Sequence, residues 1–256
     1  MKLTHIDNKK LFLYSKIFLN LLNRNKSFLP KDYKNVESLA LLKDYFIYLQ
    51  DILRIKTNKN ILDWGCGNGH ISFLLKNSDP HLKVTSFSVN PKISTKMFLT
   101  NVLQLNLVTS QNKILLPFRN SSFDCIISSG VLEHVNEWGG DLDKTMNELN
   151  RILKPGGRIY ILRLPFAFSI WEYFRYFSGS WYHMERYTPH QLIFFARKYN
   201  LRLVSLRLDG FLFVRLRAFI RKTNIGNKAI FLAEKFLYKF KFAHFLLNDI
   251  YCVLRK

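Results

Sequence analysis

The chain reads as an α/β protein built on one doubly wound, mostly parallel seven-stranded sheet, and three stretches carry that expectation. A short strand, Ile61-Leu62-Asp63-Trp64, runs directly into Gly65-Cys66-Gly67-Asn68-Gly69 and a helix start at His70. The turn Leu116-Pro117-Phe118-Arg119-Asn120-Ser121-Ser122-Phe123-Asp124 leads into Cys125–Ser129, a run whose shortness and β-branched content favour strand over buried helix. A helical segment then closes at Pro155-Gly156-Gly157 before a further apolar run, Arg158–Ile161. Strand and helix patterns that alternate in this way predict layers of helices on a parallel sheet.

Taken in order, residues 1–55 place Leu11, Leu13, Tyr14, Ile17, Phe18 and Leu21 at helical spacing, which predicts a helical cap over the ligand site. Lys16 interrupts this apolar stretch and no small-residue cleavage site follows, which argues against a signal peptide. No run reaches the ~18 apolar residues that a membrane span requires. Strands are expected near 60–64, 83–89, 105–110, 123–129, 157–163, 202–208 and 249–254. Asp141 is placed to cap a helix running to Leu153, with Leu142, Met146, Leu149, Ile152 and Leu153 on one face. Thr188-Pro189-His190-Gln191 opens another helix towards Tyr199, with a capping box and a first-turn proline. The 256 residues suffice for one domain over 1–256: the cap, a ligand-binding core over 56–163, a lid and helix over 164–200, and last strands with a basic amphipathic helix over 201–256.

Glycine removes the side chain where backbone must turn or approach a ligand, and the amides of the following helix favour an anion such as a carboxylate. The spacing is Gly-x-Gly-x-Gly with His70 next, not the Gly-x-Gly-x-x-Gly of a dinucleotide loop. Asp63 before the loop suits an ammonium group, so a ligand with an amino-acid head is implied. These residues resemble the cofactor loop of class I S-adenosylmethionine-dependent methyltransferases. Leu116-Pro117-Phe118, Phe123-Asp124, the strand and Leu132-Glu133-His134 follow in the order of that family's small-molecule branch, and Leu149–Ile161 resembles its helix, Pro-Gly-Gly turn and next strand. The resemblance spans about residues 60 to 163. It implies a Rossmann-like methyltransferase fold, S-adenosyl-L-methionine as cofactor, and a site that includes Asp63, Gly65, Cys66, Gly67, Gly69 and Ser129.

Two positions depart from the family pattern. Ser88 stands where an acidic residue normally takes both ribose hydroxyls, and Asn112, or Gln111 with a one-residue shift, stands near the adenine amine. An amide oxygen can accept that hydrogen bond, whereas a lost charged hydrogen bond costs about 1.5–3 kcal/mol.

Catalytic demand is modest, because a sulfonium-bound methyl group is already activated and the protein must mainly align the acceptor and exclude water. A hydroxyl acceptor gains from a base, for which His134 and His183 are the candidates. His134 equally suits a role in orienting its loop. Residues 165–188 are rich in aromatic side chains, including Phe166, Phe168, Trp171, Tyr173, Phe174, Tyr176, Trp181 and Tyr182. They suggest an acceptor lid or a small satellite core. His183-Met184-Glu185-Arg186-Tyr187-Thr188-Pro189 resembles a family stretch on the substrate side, which with Glu133 implies Tyr182, Arg186 and Tyr187 as acceptor-site residues.

The formal net charge is +21, and residues 201–256 carry 12 basic and 3 acidic residues. Leu232, Phe236, Leu237, Phe240 and Ala243 follow helical spacing there, flanked by Lys235, Lys239 and Lys241. That pattern fits an anionic membrane surface or a terminal helix packed on the domain with a basic outer face. The three cysteines, Cys66, Cys125 and Cys252, show no metal or redox spacing, so no metal is expected and a reduced, cytoplasmic setting is, with peripheral membrane association through the basic helix.

The favoured reading is methyl transfer to a small-molecule or lipid-linked acceptor. A scaffold with a degenerate cofactor site is the alternative, drawn from Ser88 and Asn112. An RNA methyltransferase is the third, drawn from charge alone, because Ser128-Ser129-Gly130-Val131 lacks the Pro-Pro-aromatic clamp of many nucleic-acid methyltransferases.

Overall fold

The structure is a computed structural model that describes residues 8–25, 27, 48, 49, 52, 59–79, 81–179, 183–211 and 224–256. Its seven strands are β1 (Lys59–Trp64), β2 (Leu82–Val89), β3 (Leu107–Ser110), β4 (Phe123–Ser129), β5 (Leu153–Pro165), β6 (Arg202–Asp209) and β7 (Asp249–Arg255). They form one sheet in the order β3-β2-β1-β4-β5-β7-β6, parallel except for β7, which runs antiparallel between β5 and β6. The chain winds outward from β1 to β3 and returns to β4 on the other side of β1, so a crevice opens at the carboxyl ends of β1 and β4.

The α-helices bounded within the described residues are α1 (Asn8–Arg24), α2 (His70–Ser78), α3 (Ile93–Met97), α4 (Leu142–Ile152), α5 (Ile170–Phe177), α6 (Pro189–Lys198) and α7 (Asn224–Lys239). Both faces of the central strands are covered, which explains their continuous apolar runs. Leu62, Ile126, Ile159 and Ile161 point into a core shared with Met146, Leu149 and Leu192, while Ile61, Ile127, Tyr160 and Leu162 point into one shared with Phe18, Phe73 and Leu74.

The local signals work as read. The Asp141 side chain accepts the Lys144 amide at 2.9 Å, and Thr188 and Gln191 form a reciprocal capping box. α4 nonetheless ends at Ile152, because Leu153 turns extended and pairs with Phe123. Pro155-Gly156-Gly157 is therefore a bulge inside β5, and that strand starts at 153 instead of 157.

Two amphipathic assignments hold only in part, and the aromatic segment departs from its expectation as well. Among the described side chains of α1, Phe18 and Leu22 are buried and Tyr14 and Leu21 pack partly against the core, whereas Leu13 and Ile17 are exposed. Phe18 sits 4.8 Å from the His70 ring and 5.1 Å from Phe73, so α1 lies against the start of α2. In α7 the inward face carries Ile230 and Glu234, while Leu232 and Phe236, both 61% exposed, point outward. α5 goes further. Glu172 is its buried residue, at 0% exposure, whereas Phe174 and Phe177 are 58% and 80% exposed. The rings of Phe168, Tyr173 and Tyr176 are exposed too, and Phe166 and Tyr187 belong to the main core.

Candidate functional site

The loop after β1 is tied to β2, with the amides of Gly65 and Cys66 both donating to the Phe87 carbonyl at 3.0 Å. Its three glycines have positive φ of 74°, 51° and 78°, a region that L side chains enter at a cost. Their surroundings differ. A Cβ on Gly65 would lie 2.4 Å from a methyl of Val131, and one on Gly69 would lie 2.7 Å from Leu99 and Leu105. A Cβ on Gly67 would meet nothing within 4 Å. The outer glycines thus permit close packing, the first of them against the segment that carries Leu132-Glu133-His134, and Gly67 lines open space.

Asp63 is buried and accepts from Ser72 through both the amide (3.0 Å) and the hydroxyl (2.6 Å), and Ser86 donates to the Ser72 hydroxyl at 2.7 Å. All these bonds to Asp63 use Oδ2, so a ligand ammonium would meet Oδ1. Burial pushes the Asp63 carboxyl up to about 6, against the hydrogen bonds from Ser72. Cys66 is a buried free thiol raised well above its ordinary range, first by burial and then by Asp63. Such a thiol is packing, not a nucleophile.

Around this crevice, Asn68 Nδ2, Ser128 Oγ and Ser129 Oγ are buried with no hydrogen-bond partner among the described residues. A buried orphan polar group costs about 1–3 kcal/mol unless something satisfies it. Side chains alternate along β4, so Ser129 shares the Asp63 face of the sheet and Ser128 lies on the other; Asn68, Ser129, the open Gly67 and the Asp63 carboxylate suit a polar amino-acid head. Ser88 is half-buried near the carboxyl end of β2, paired with Thr109, and offers a hydroxyl in place of a bidentate acceptor. For Asn112 the expectation is corrected. Its side-chain oxygen already accepts the amides of Ile114 and Leu115, both at 2.9 Å, so it caps its own turn and is not available to an adenine amine.

On the other side of the crevice, Gly130 turns the chain out of β4 and a short 3-10 helix, Leu132–His134, buries all three of its residues. His134 Nδ1 lies 2.8 Å from Glu137 Oε2, and its ring stacks on Trp138 at 4.8 Å. Burial pushes the Glu133 carboxyl up to about 8, against the pull of its own backbone amide and of Arg163. His183 comes in from the lid segment, its ring 5.5 Å from that of His134 and its Nδ1 3.1 Å from Glu172 Oε2. Burial opposes charge on Glu172, but the hydrogen bonds from His183 and the Arg175 ion pair outweigh it and hold the carboxyl below its ordinary value.

The structure therefore brings Glu133, His134 and His183 together. Tyr187, whose hydroxyl feels the Glu133 charge, lies near them. Tyr187 is buried and donates its hydroxyl to Glu185, Arg186 lies over the Tyr173 ring at 5.3 Å, and Tyr182 lies outside the described residues. Sequence reasoning missed Asn68, Ser128, Glu172 and Arg163. Arg163 is a charged residue inside an apolar strand, and it adopts a left-handed φ of 59° near His70 and Glu133. A lone charge within Ile159–Leu164, like a lone Glu within Trp171–Phe174, was the available signal.

Residues 62–161 match the protein-family model described as a methyltransferase domain. The chain is 26% identical over 144 residues to a sterol 4-C-methyltransferase of Caenorhabditis elegans, covering 55% of this chain and 41% of that protein. It is 28% identical over 200 residues to a demethylmenaquinone methyltransferase of Lactobacillus johnsonii, covering 72% and 78%. The chain spans about half the length of several curated relatives that it matches. Among solved structures, a SAM-dependent methyltransferase from Archaeoglobus fulgidus shares the fold with a TM-score of 0.59 at 19% identity, covering 88% of this chain and 97% of that one. The strand order, the glycine cradle and the three ordered motifs thus stand on a fold shared with solved SAM-dependent methyltransferases, and residues 62–161 are similar to a methyltransferase domain.

Proposed function

We propose that the protein transfers a methyl group from S-adenosylmethionine to a small or lipid-linked acceptor. The observation that carries this reading is the loop at the carboxyl end of β1, where Gly67 faces open space, the next residue Asn68 buries an orphaned Nδ2, and Ser129, on the Asp63 face of the adjacent β4, buries an orphaned hydroxyl. Bound there, the cofactor supplies an activated methyl group on a sulfonium. Asp63 and the loop amides would hold its amino-acid head. The Glu133–His134–His183 group lies at the carboxyl-end crevice where an acceptor would enter, and either imidazole, its Nδ1 against a carboxylate, would present Nε2 to an acceptor proton.

A lipid-linked acceptor is favoured by the outward rings. α5 and α7 each bury a glutamate and expose aromatic side chains, and the 3-10 turn Lys241–Leu246 contacts both helices. Phe236, Phe240 and Phe242 form a chain of rings 4.8 and 5.6 Å apart, flanked by the exposed Lys239 and Lys241. Exposed rings among lysines suit the interface of an anionic bilayer. No described helix is long and apolar enough to cross a membrane, so the contact would be peripheral. Sterol and menaquinone-type acceptors, named for the relatives above, belong to this membrane-partitioning class.

Calorimetric titration with S-adenosylmethionine tests the reading. Saturable binding by the wild type that Gly67→Arg abolishes, without loss of fold, is expected. Absence of binding at millimolar cofactor would overturn it.

A further inference from the structure

We propose that Glu133, His134 and His183 form a binding site for one divalent transition-metal ion of the zinc class, with Glu137 and Glu172 as the carboxylates that orient the two imidazoles. One ligand-capable atom from each of the three residues lies within 4.8 Å of the others, and Glu133 and His134 are buried while His183 is half-buried. His134 Nε2 is 4.0 Å from Glu133 Oε1.

The surroundings separate this group from a chance cluster. Each histidine sets its Nδ1 against a different carboxylate, His134 on Glu137 at 2.8 Å and His183 on Glu172 at 3.1 Å. A carboxylate on Nδ1 fixes the tautomer with the proton on Nδ1 and the lone pair on Nε2, which is the arrangement that metal-binding histidines adopt. The second carboxylate is itself built in: Glu172 is fully buried, takes the His183 backbone amide at 3.1 Å and pairs with Arg175. This chain has 39 basic and 18 acidic residues, yet three of its glutamates gather around two neighbouring imidazoles.

Two imidazoles and one carboxylate are the donor set of catalytic zinc and of related ions that keep a coordination position open. Donors at about 2.0–2.2 Å from an ion must draw in by roughly an ångström from their present spacing. With both Nε2 atoms on the ion, neither imidazole would serve as base, and the ion would instead act as a Lewis acid on an acceptor oxygen, favouring loss of the hydroxyl proton to solvent. That role rests on the methyl-transfer reading, whereas metal binding itself does not.

The test uses the full chain, stripped with chelator and titrated with Co²⁺ while the visible d–d absorption is followed. The expected result is saturation at one ion per chain, displacement by Zn²⁺, and a tenfold or greater loss of affinity in His183→Ala. Glu172→Gln, which leaves all three donors in place, should lose about 10- to 100-fold. Far-UV circular dichroism identifies any variant that fails to fold, and Glu172→Gln then replaces it. No saturable signal in the wild type overturns the proposal, as does binding that a folded variant leaves unchanged. S-adenosylmethionine is titrated into the metal-free protein in parallel. Cofactor binding without Co²⁺ binding removes the metal site alone, and Co²⁺ binding without cofactor binding removes the methyl-transfer reading alone.

Discussion

The half of the molecule around the β1 loop and the half around α5 and α7 treat burial in opposite ways. In the first, apolar strands are covered on both faces and Gly65 and Gly69 leave no room even for a methyl group. In the second, Glu172 and Glu234 face inward and Phe174, Phe177, Leu232 and Phe236 face out. Interior packing is therefore the constraint in the first region, whereas in the second the outer surface carries apolar groups that folding alone would hide. The first reads as a fixed cradle and the second as a contact surface.

The largest break in this contrast is expected from Gly65→Ala. Its Cβ would sit 2.4 Å from Val131 at a φ of 74°, so overpacking and left-handed strain should together cost about 2–5 kcal/mol in urea unfolding. Gly67→Ala, at φ 51° and in open space, should cost no more than the backbone strain, about 1–2 kcal/mol. Equal losses in the two variants would sink the assignment of separate packing and ligand roles.

Next in size is a pH effect. The Asp63 carboxyl is raised from 3.8 to about 6, so its contribution to stability is fully present below pH 3.8 and is lost as pH rises through 6. The change is about 3 kcal/mol in all. His70 is lowered from 6.5 to about 4, first by burial and then by Arg163, so its contribution is fully present above pH 6.5 and is lost as pH falls through 4. The two trends oppose one another across the same window. Asp63→Asn retains an oxygen for Ser72 and should expose the His70 trend, with stability above wild type at pH 7 and near it at pH 4. A wild-type minus variant difference that stays flat over that range would refute the buried-carboxylate account.

A smaller effect is expected at Ser88. Ser88→Asp supplies the missing bidentate acceptor and should tighten S-adenosylmethionine by about 1.5–3 kcal/mol, roughly one to two decades in Kd, measured by calorimetry. Unchanged or weaker affinity would show that the ribose does not lie along β2. The smallest change in stability is expected in the outer region. Phe174→Ser with Phe236→Ser should shift unfolding by no more than about 0.5 kcal/mol at each site while reducing flotation with anionic vesicles several-fold. A large loss of stability would mean that these rings are packed after all.

Legibility divides along the same line. The glycine loop, the strands and both caps were readable because each depends on residues within a few positions of one another. Even the Asn112 turn was local, since an Asn side chain that accepts amides two and three residues on is a familiar turn device that competes with any ligand role. Long-range partnerships were not readable. Nothing near Asp63 announces Ser72 as its partner or Ser86 as the partner of Ser72, and no spacing relates His134 to His183, 49 positions on. Helical periodicity in α7 located an apolar stripe without saying which of its members face the sheet, and the buried Ile230 and Glu234 decided the matter.

The contact between Gly65 and Val131 carries a consequence for how this domain can change over time or in the hands of an engineer. Two sequence windows more than sixty residues apart interlock at a distance smaller than a methyl group, so neither loop can be transplanted from another protein as an independent cassette. A graft of the β1 loop must bring a partner for residue 131, and any bulkier residue at 65 calls for a smaller one at 131.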